Sequence, residues 1–170
     1  VAHAVKWLRA SGWADPKKHV VMGGSYGGYM TLACLTMLPD LWAAGVDTVG
    51  MSNLETFLEN TGPWRRPLRE AEYGSLATDR DFLKEVSPIH HVAKIKAPLM
   101  VIQGANDPRV PKTEADQMVA ILKERNHPVE YLLFADEGHG VAKLPNRIKS
   151  FTATAAFLDR HVKQKHVEQK

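Results

Sequence analysis

Between His19 and Leu38 a short apolar run passes through Gly23-Gly24-Ser25-Tyr26-Gly27-Gly28 into a helix-forming run that stops at Pro39. A strand that turns this sharply into a helix belongs in a sheet whose next parallel strand is reached by a crossover, because the helix has to pack back on the sheet. Three more β-branched or apolar runs follow, Ala44 to Val49, Pro98 to Gln103 and Val129 to Phe134, each soon succeeded by Gly or Asp. Together with His19 to Met22 they make four expected strands, separated by segments of helical period. The alternation predicts an α/β fold: a mostly parallel sheet with helices on both faces, each face covered.

The helices have readable periods. Tyr29 to Leu38 is apolar nearly all round and is expected as a central, buried helix. Ala115, Met118, Val119 and Leu122 fall at i, i+3, i+4 and i+7, the single buried stripe of a surface helix, with Thr113 as its N-cap and Asp116 as the capping-box partner. Ile148, Phe151, Ala155, Leu158 and Val162 repeat at intervals of three or four behind Asn146, a second expected cap, and should face the sheet. Ser52 to Lys96, rich in Trp, Arg, Glu and Pro, is expected as loops and short helices inserted between the second and third strands, where specificity is carried in such folds.

Composition removes several classes of function. With 44% hydrophobic and 24% charged residues in a 170-residue chain, one globular domain with a core is expected. The formal charge is only +3, and the basic residues are scattered apart from Lys163, Lys165 and Lys170 near a solvated helix end, so a nucleic-acid partner is not expected. The one cysteine, Cys34, lies in an apolar helical run and reads as a buried thiol. No stretch reads as a membrane span and the first residues read as a helix rather than an export signal; a cytoplasmic location is the expectation. His90 and His91 are adjacent rather than spaced for ligation, and no HExxH or CxxC pattern occurs, so neither a metal nor any other cofactor is expected.

Gly-x-Ser-x-Gly between a strand and a helix is the pattern of a nucleophile elbow. The serine is held in a strained conformation at the tip of the turn, and a β-carbon at Gly23 or Gly27 is expected to collide with the adjoining strand or helix. The helix behind it aims free amides at the same point, so the Tyr26 N–H is the expected oxyanion donor. A hydroxyl needs a general base and a group to orient that base. Asp107 follows the third strand and His139 follows the fourth, in the chain order Ser, acid, His, at the strand ends where such a sheet gathers its site. Ser25, Asp107 and His139 are therefore the expected catalytic triad of an α/β-hydrolase. Asp136 and Glu137 share the loop of His139 and are poorly placed to reach its far ring nitrogen. Arg109 offers a fork of donors suited to a carbonyl or carboxylate, or to a salt bridge with a loop carboxylate.

Longer motifs narrow the reading. GGSYGGYM at Gly23 to Met30, EYG at Glu72 to Gly74, SPIHH at Ser87 to His91, QGANDPRVP at Gln103 to Pro111 and DEGHG at Asp136 to Gly140 together resemble the prolyl oligopeptidase family of serine peptidases, nearest its acylaminoacyl-peptidase and dipeptidyl-peptidase-like branches. The resemblance implies hydrolysis of short peptides through an acyl-enzyme on Ser25. It implies further that Arg109 binds a substrate main-chain carbonyl, that Val110 lines the pocket for the residue whose bond is cut, and that an aromatic residue of the insertion, here Trp64, forms the pocket wall.

By the same resemblance, residues 1–170 are expected to be the carboxyl-terminal part of an α/β-hydrolase catalytic domain, with the domain's earlier strands, the second oxyanion donor and a β-propeller absent from this sequence. The first strand is then expected to expose an edge closed by that missing part or by a second copy in a homo-oligomer. Two other functions remain open: a carboxylesterase using the same triad on small acyl esters, and a catalytically silent fragment with a role in assembly.

Overall fold

The computed structural model describes residues 1–163, so Lys165 and Lys170 of the basic cluster lie outside the described residues. Helix α1 (Ala2–Ser11) precedes strand β1 (Val20–Gly24), and α2 (Tyr26–Met37) connects it to β2 (Ala44–Thr48). The insertion holds α3 (Leu54–Asn60), α4 (Arg66–Tyr73), α5 (Arg80–Glu85) and a 3₁₀ segment, Pro88–Lys94, before β3 (Leu99–Gly104). Then come α6 (Thr113–Glu124), β4 (Val129–Phe134) and α7 (Leu144–Leu158). All strand pairings are parallel, in the spatial order β1-β2-β3-β4. Gly24 lies beside Thr48 and Gly104 beside Phe134, so the carboxyl ends of the strands share one rim.

Strand β3 shows how the alternation of side chains builds two cores. Leu99 and Val101 point to one face, where they meet Leu32 and Leu35 of α2 and Met118 and Leu122 of α6. Met100 and Ile102 point to the other, against Val46, Phe134 and Phe157 of α7. Every residue of β3 is buried, as a strand with neighbours on both edges and helices on both faces must be. Cys34 is buried in α2. The insertion has a core of its own, Leu54, Phe57, Leu58, Leu76 and Leu83, to which Met51 is added from the loop after β2 and Val110 from the loop after β3.

Four expectations need correction. The residue capping α6 is Lys112, without a side-chain cap, and Thr113 already lies inside the helix. No capping box forms, because the Asp116 carboxylate is occupied by Lys112 Nζ and by the Tyr131 hydroxyl at 2.9 Å. In α7 the cap is Lys143, and Asn146 instead donates at 2.9 Å to Asp136 and to Glu137. The buried stripe of α7 keeps Leu158 and Val162 of the expected set but not its earlier members. Phe157 is fully buried with Ala153 and Leu158 beside it, while Ile148 and Phe151 are 59% and 69% exposed. Finally, one face is only partly covered. Met22 of β1 is 61% exposed, and among the described residues β1 pairs on one edge only.

Candidate active site

Strand β1 delivers Ser25 to the rim with φ 59° and ψ −117°, a backbone region that L-residues rarely occupy. Its amide donates to the Thr48 carbonyl at 2.9 Å, while its carbonyl accepts from the amides of Gly28 and Tyr29 at 2.9 and 3.1 Å. The glycines beside it differ in purpose. A β-carbon on Gly23 would stand 2.4 Å from the Gly27 oxygen, as expected from the turn's crowding. Gly27 itself faces open space, contrary to expectation, and the other crowded position is Gly28, whose β-carbon would lie 2.4 Å from Asp47 Oδ1 and 2.6 Å from Gly50 Cα. Asp47, on β2, thus fills the space beneath the turn. Burial pushes its carboxyl up to about 7, opposed by a hydrogen bond from the Gly50 amide.

The loops after β3 and β4 bring the other two groups to the serine. His139 Nδ1 lies 2.7 Å from Asp107 Oδ2, and His139 Nε2 lies 2.9 Å from Ser25 Oγ. The second oxygen of Asp107 accepts from the amides of Arg109 and Val110 at 2.8 and 3.0 Å, which fixes the carboxylate in a buried position. The two loops are also stitched together: Ala105 N donates to Phe134 O and Asn106 N to Glu137 O, both at 2.9 Å, and the Asn106 side chain donates to Ala135 O at 2.8 Å. Gly104 permits this approach, since a β-carbon there would stand 2.1 Å from the Gly138 oxygen.

Asp136 and Glu137 hold the histidine loop in shape. Glu137 accepts from the amides of Ala142 and Lys143 at 3.2 and 2.9 Å and from Asn146, whose hydrogen bond is the main influence holding its carboxyl below the usual range. Asp136 pairs with Lys143 at 2.7 Å, and its hydrogen bond from Lys143 likewise lowers its pKa.

Tyr26 is the first residue of α2, so its amide has no partner within the helix and lies next to the serine. A cavity of about 90 Å³ opens at Ser25 and is bounded by Tyr26, Met51, Arg109 and Val110, and from the insertion by Phe57, Arg65, Arg69, Glu72 and Tyr73. Its aromatic side is a connected set. Tyr26 stacks on Tyr73 with ring centroids 6.1 Å apart, and Phe57 meets Tyr73 edge-on at 6.0 Å. A larger cavity, about 470 Å³, lies between α1 and residues 37–41 and touches none of these groups.

A family model described as "Prolyl oligopeptidase family" matches residues 1–165. The chain belongs to the prolyl oligopeptidase family. It is 45% identical over 161 residues to dipeptidyl aminopeptidase BIII of Pseudoxanthomonas mexicana, covering 91% of this chain and 23% of that protein. It is 40% identical to dipeptidyl peptidase family member 6 of Caenorhabditis elegans, covering 94% of this chain and 22% of that protein. Among solved structures, a puromycin-hydrolysing peptidase of Mycobacterium tuberculosis superimposes with a TM-score of 0.90 at 31% identity, covering 95% of this chain and 24% of that one. The chain therefore spans about a quarter of the length of the relatives it matches. The parallel sheet flanked by helices is the α/β-hydrolase arrangement of such peptidases.

Within this family member, the structure brings together Ser25, Asp107 and His139, and sets Tyr26, Arg109 and Val110 around the same opening. It does not bring Trp64 there. The Trp64 ring is 69% exposed and folds back over Gly62, and the aromatic wall is made by Tyr73 and Phe57 instead. Tyr73 stands in the Glu72-Tyr73-Gly74 motif, which was the one signal in the sequence that pointed to it. Arg65, Arg69 and Met51 carried no comparable signal.

Proposed function

We propose that this chain supplies the reacting groups of a serine peptidase that hydrolyses short peptides through an acyl-enzyme on Ser25. The observation that carries the reading is the unbroken row from Asp107 through His139 to Ser25, with contacts of 2.7 and 2.9 Å. With the Nδ1 proton directed at Asp107, Nε2 is free to accept the Ser25 proton as Oγ attacks the scissile carbonyl. The Tyr26 amide donates to the oxyanion that develops, and a second donor is drawn from outside the described residues. His139 then passes the proton to the leaving amine, and a water activated by the same imidazole releases the acyl group. Asp107 stabilises the imidazolium at each stage. Arg109 holds a substrate main-chain carbonyl, and Val110 with Tyr73 and Phe57 shapes the cavity for the residue at the cut.

Fluorophosphonate labelling of the native protein, absent in Ser25→Ala, tests this reading; an unlabelled protein would overturn it in favour of an assembly role. Ser25→Ala and His139→Ala should each lower kcat by about 10⁶-fold, as for other triads. Turnover of p-nitrophenyl acetate without any of an aminoacyl p-nitroanilide would replace the peptidase by an esterase. We further propose that the free edge of β1 is closed by a strand from the rest of the protein or from a second copy; a stable monomer of residues 1–170 in light scattering would count against it.

A further inference from the structure

The charged residues of the segment 65–72 pair off unevenly. Arg66 Nε meets Glu70 at 3.3 Å, and Arg69 meets Glu72 while also lying over the Tyr73 ring. Arg65 has no ion pair among the described residues, and its Nε is closed off from solvent with no hydrogen-bond partner. Yet Arg65 borders the cavity that opens at Ser25. That small space is lined by three arginines, Arg65, Arg69 and Arg109, and by one acidic residue, Glu72, which Arg69 already engages.

Arg65 as a whole is half-buried, and its Nε is the donor shut away from water without an acceptor. A buried donor without an acceptor is unfavourable, and the group that relieves it best is a planar pair of anionic oxygens matching the guanidinium fork. The buried Phe57 and the half-buried Tyr73 give the cavity an apolar side, which strengthens any such attraction. In the proposed peptidase Arg109 serves a main-chain carbonyl. Arg65 is the cation left over.

We propose that Arg65 receives a carboxylate of the substrate in the cavity beside Ser25, which makes the enzyme selective for peptides carrying negative charge next to the bond that is cut. This rests on the peptidase reading and deepens it. The carboxylate has two possible sources, an acidic side chain flanking the scissile bond or the free carboxyl terminus of a very short peptide.

A matched set of short peptides distinguishes them, with Glu or Gln on either side of the cleaved bond and each made with a free or an amidated carboxyl terminus. In the intact protein, kcat/KM should be about 10- to 100-fold higher for the charged member of a pair. The gain should vanish in Arg65→Gln and persist in part in Arg65→Lys, which keeps the charge but not the fork. A gain that follows Glu against Gln identifies a side chain; one that follows the free terminus identifies the α-carboxylate. Fluorophosphonate labelling of Ser25 in each variant reports that the site is assembled. Labelled protein with no charge preference, or with a preference that survives Arg65→Gln, overturns this inference alone. Failure to label the wild type overturns the peptidase reading and this one with it.

Discussion

Glu114 is fully buried in the first turn of α6, and its removal should be felt across the whole insertion. One carboxylate oxygen accepts from the amides of Ser52 and Asn53 at 3.1 and 2.8 Å, and the other from the Thr56 hydroxyl. In Glu114→Ala the Ser52 hydroxyl keeps the Glu114 backbone carbonyl at 2.7 Å, and the Thr56 hydroxyl keeps the Asn53 carbonyl at 3.3 Å. The two amides keep nothing. Each buried, unpaired N–H costs about 1–3 kcal/mol, roughly 2–6 kcal/mol for the pair. Burial pushes the Glu114 pKa up, so deleting a desolvated carboxylate returns part of that, and a net loss of about 2–4 kcal/mol is expected. Urea unfolding should show it as a midpoint lower by about 1–2 M at an ordinary slope near 2 kcal/mol per M. Glu114→Gln, which keeps an acceptor in place, should recover more than half. Because Met51 and Phe57 line the cavity at Ser25, KM should rise more than kcat falls. A loss under about 0.5 kcal/mol in the alanine variant would refute the claim that these amides depend on the carboxylate.

Gly104→Ala should force the Asp107 and His139 loops apart, because its β-carbon would meet the oxygens of Gly138 and Glu137 at 2.1 and 2.7 Å; kcat should fall by about 10²-fold with labelling of Ser25 slowed alike. Asp47 has a folded pKa of about 7 against an ordinary 3.8, so the folded state holds the extra proton between those values and the contribution to stability is full below pH 4 and lost as pH rises through 7. Asp47→Asn should therefore flatten the decline of Tm between pH 4 and 7, and an unchanged slope would place the titration elsewhere.

Much of this fold was legible because its signals are local. The four strands fall within two residues of their expected limits, since each is a short apolar run closed by Gly or Asp, and the buried stripe of α6 is the expected one. Ser25, Asp107 and His139 could be read together because strand ends in a parallel sheet converge whatever lies between them. What escaped was decided by distant partners. Gly27 and Gly28 look equivalent in sequence, and what separates them is the Asp47 carboxyl and the Gly50 backbone beneath the turn. The apolar residues of α7 fit two faces, and the position of Phe134 and Met100 selects the one with Phe157. Glu114 sits where an acidic residue of a helix's first turn ordinarily meets water, so nothing local announced its burial. Trp64 and Tyr73 are both aromatic residues of one insertion, and tertiary packing alone sends Tyr73 to the cavity.

The dihedrals of Ser25 leave one more mark on the protein. Glycine occupies φ 59°, ψ −117° freely, whereas any side chain there carries strain of about 1–3 kcal/mol. Ser25→Gly should thus melt at a higher temperature than the parent while losing its reactive group. Any search for hardier variants that scores survival of heating alone would favour discarding the hydroxyl, so such a search has to be run with turnover in the selection.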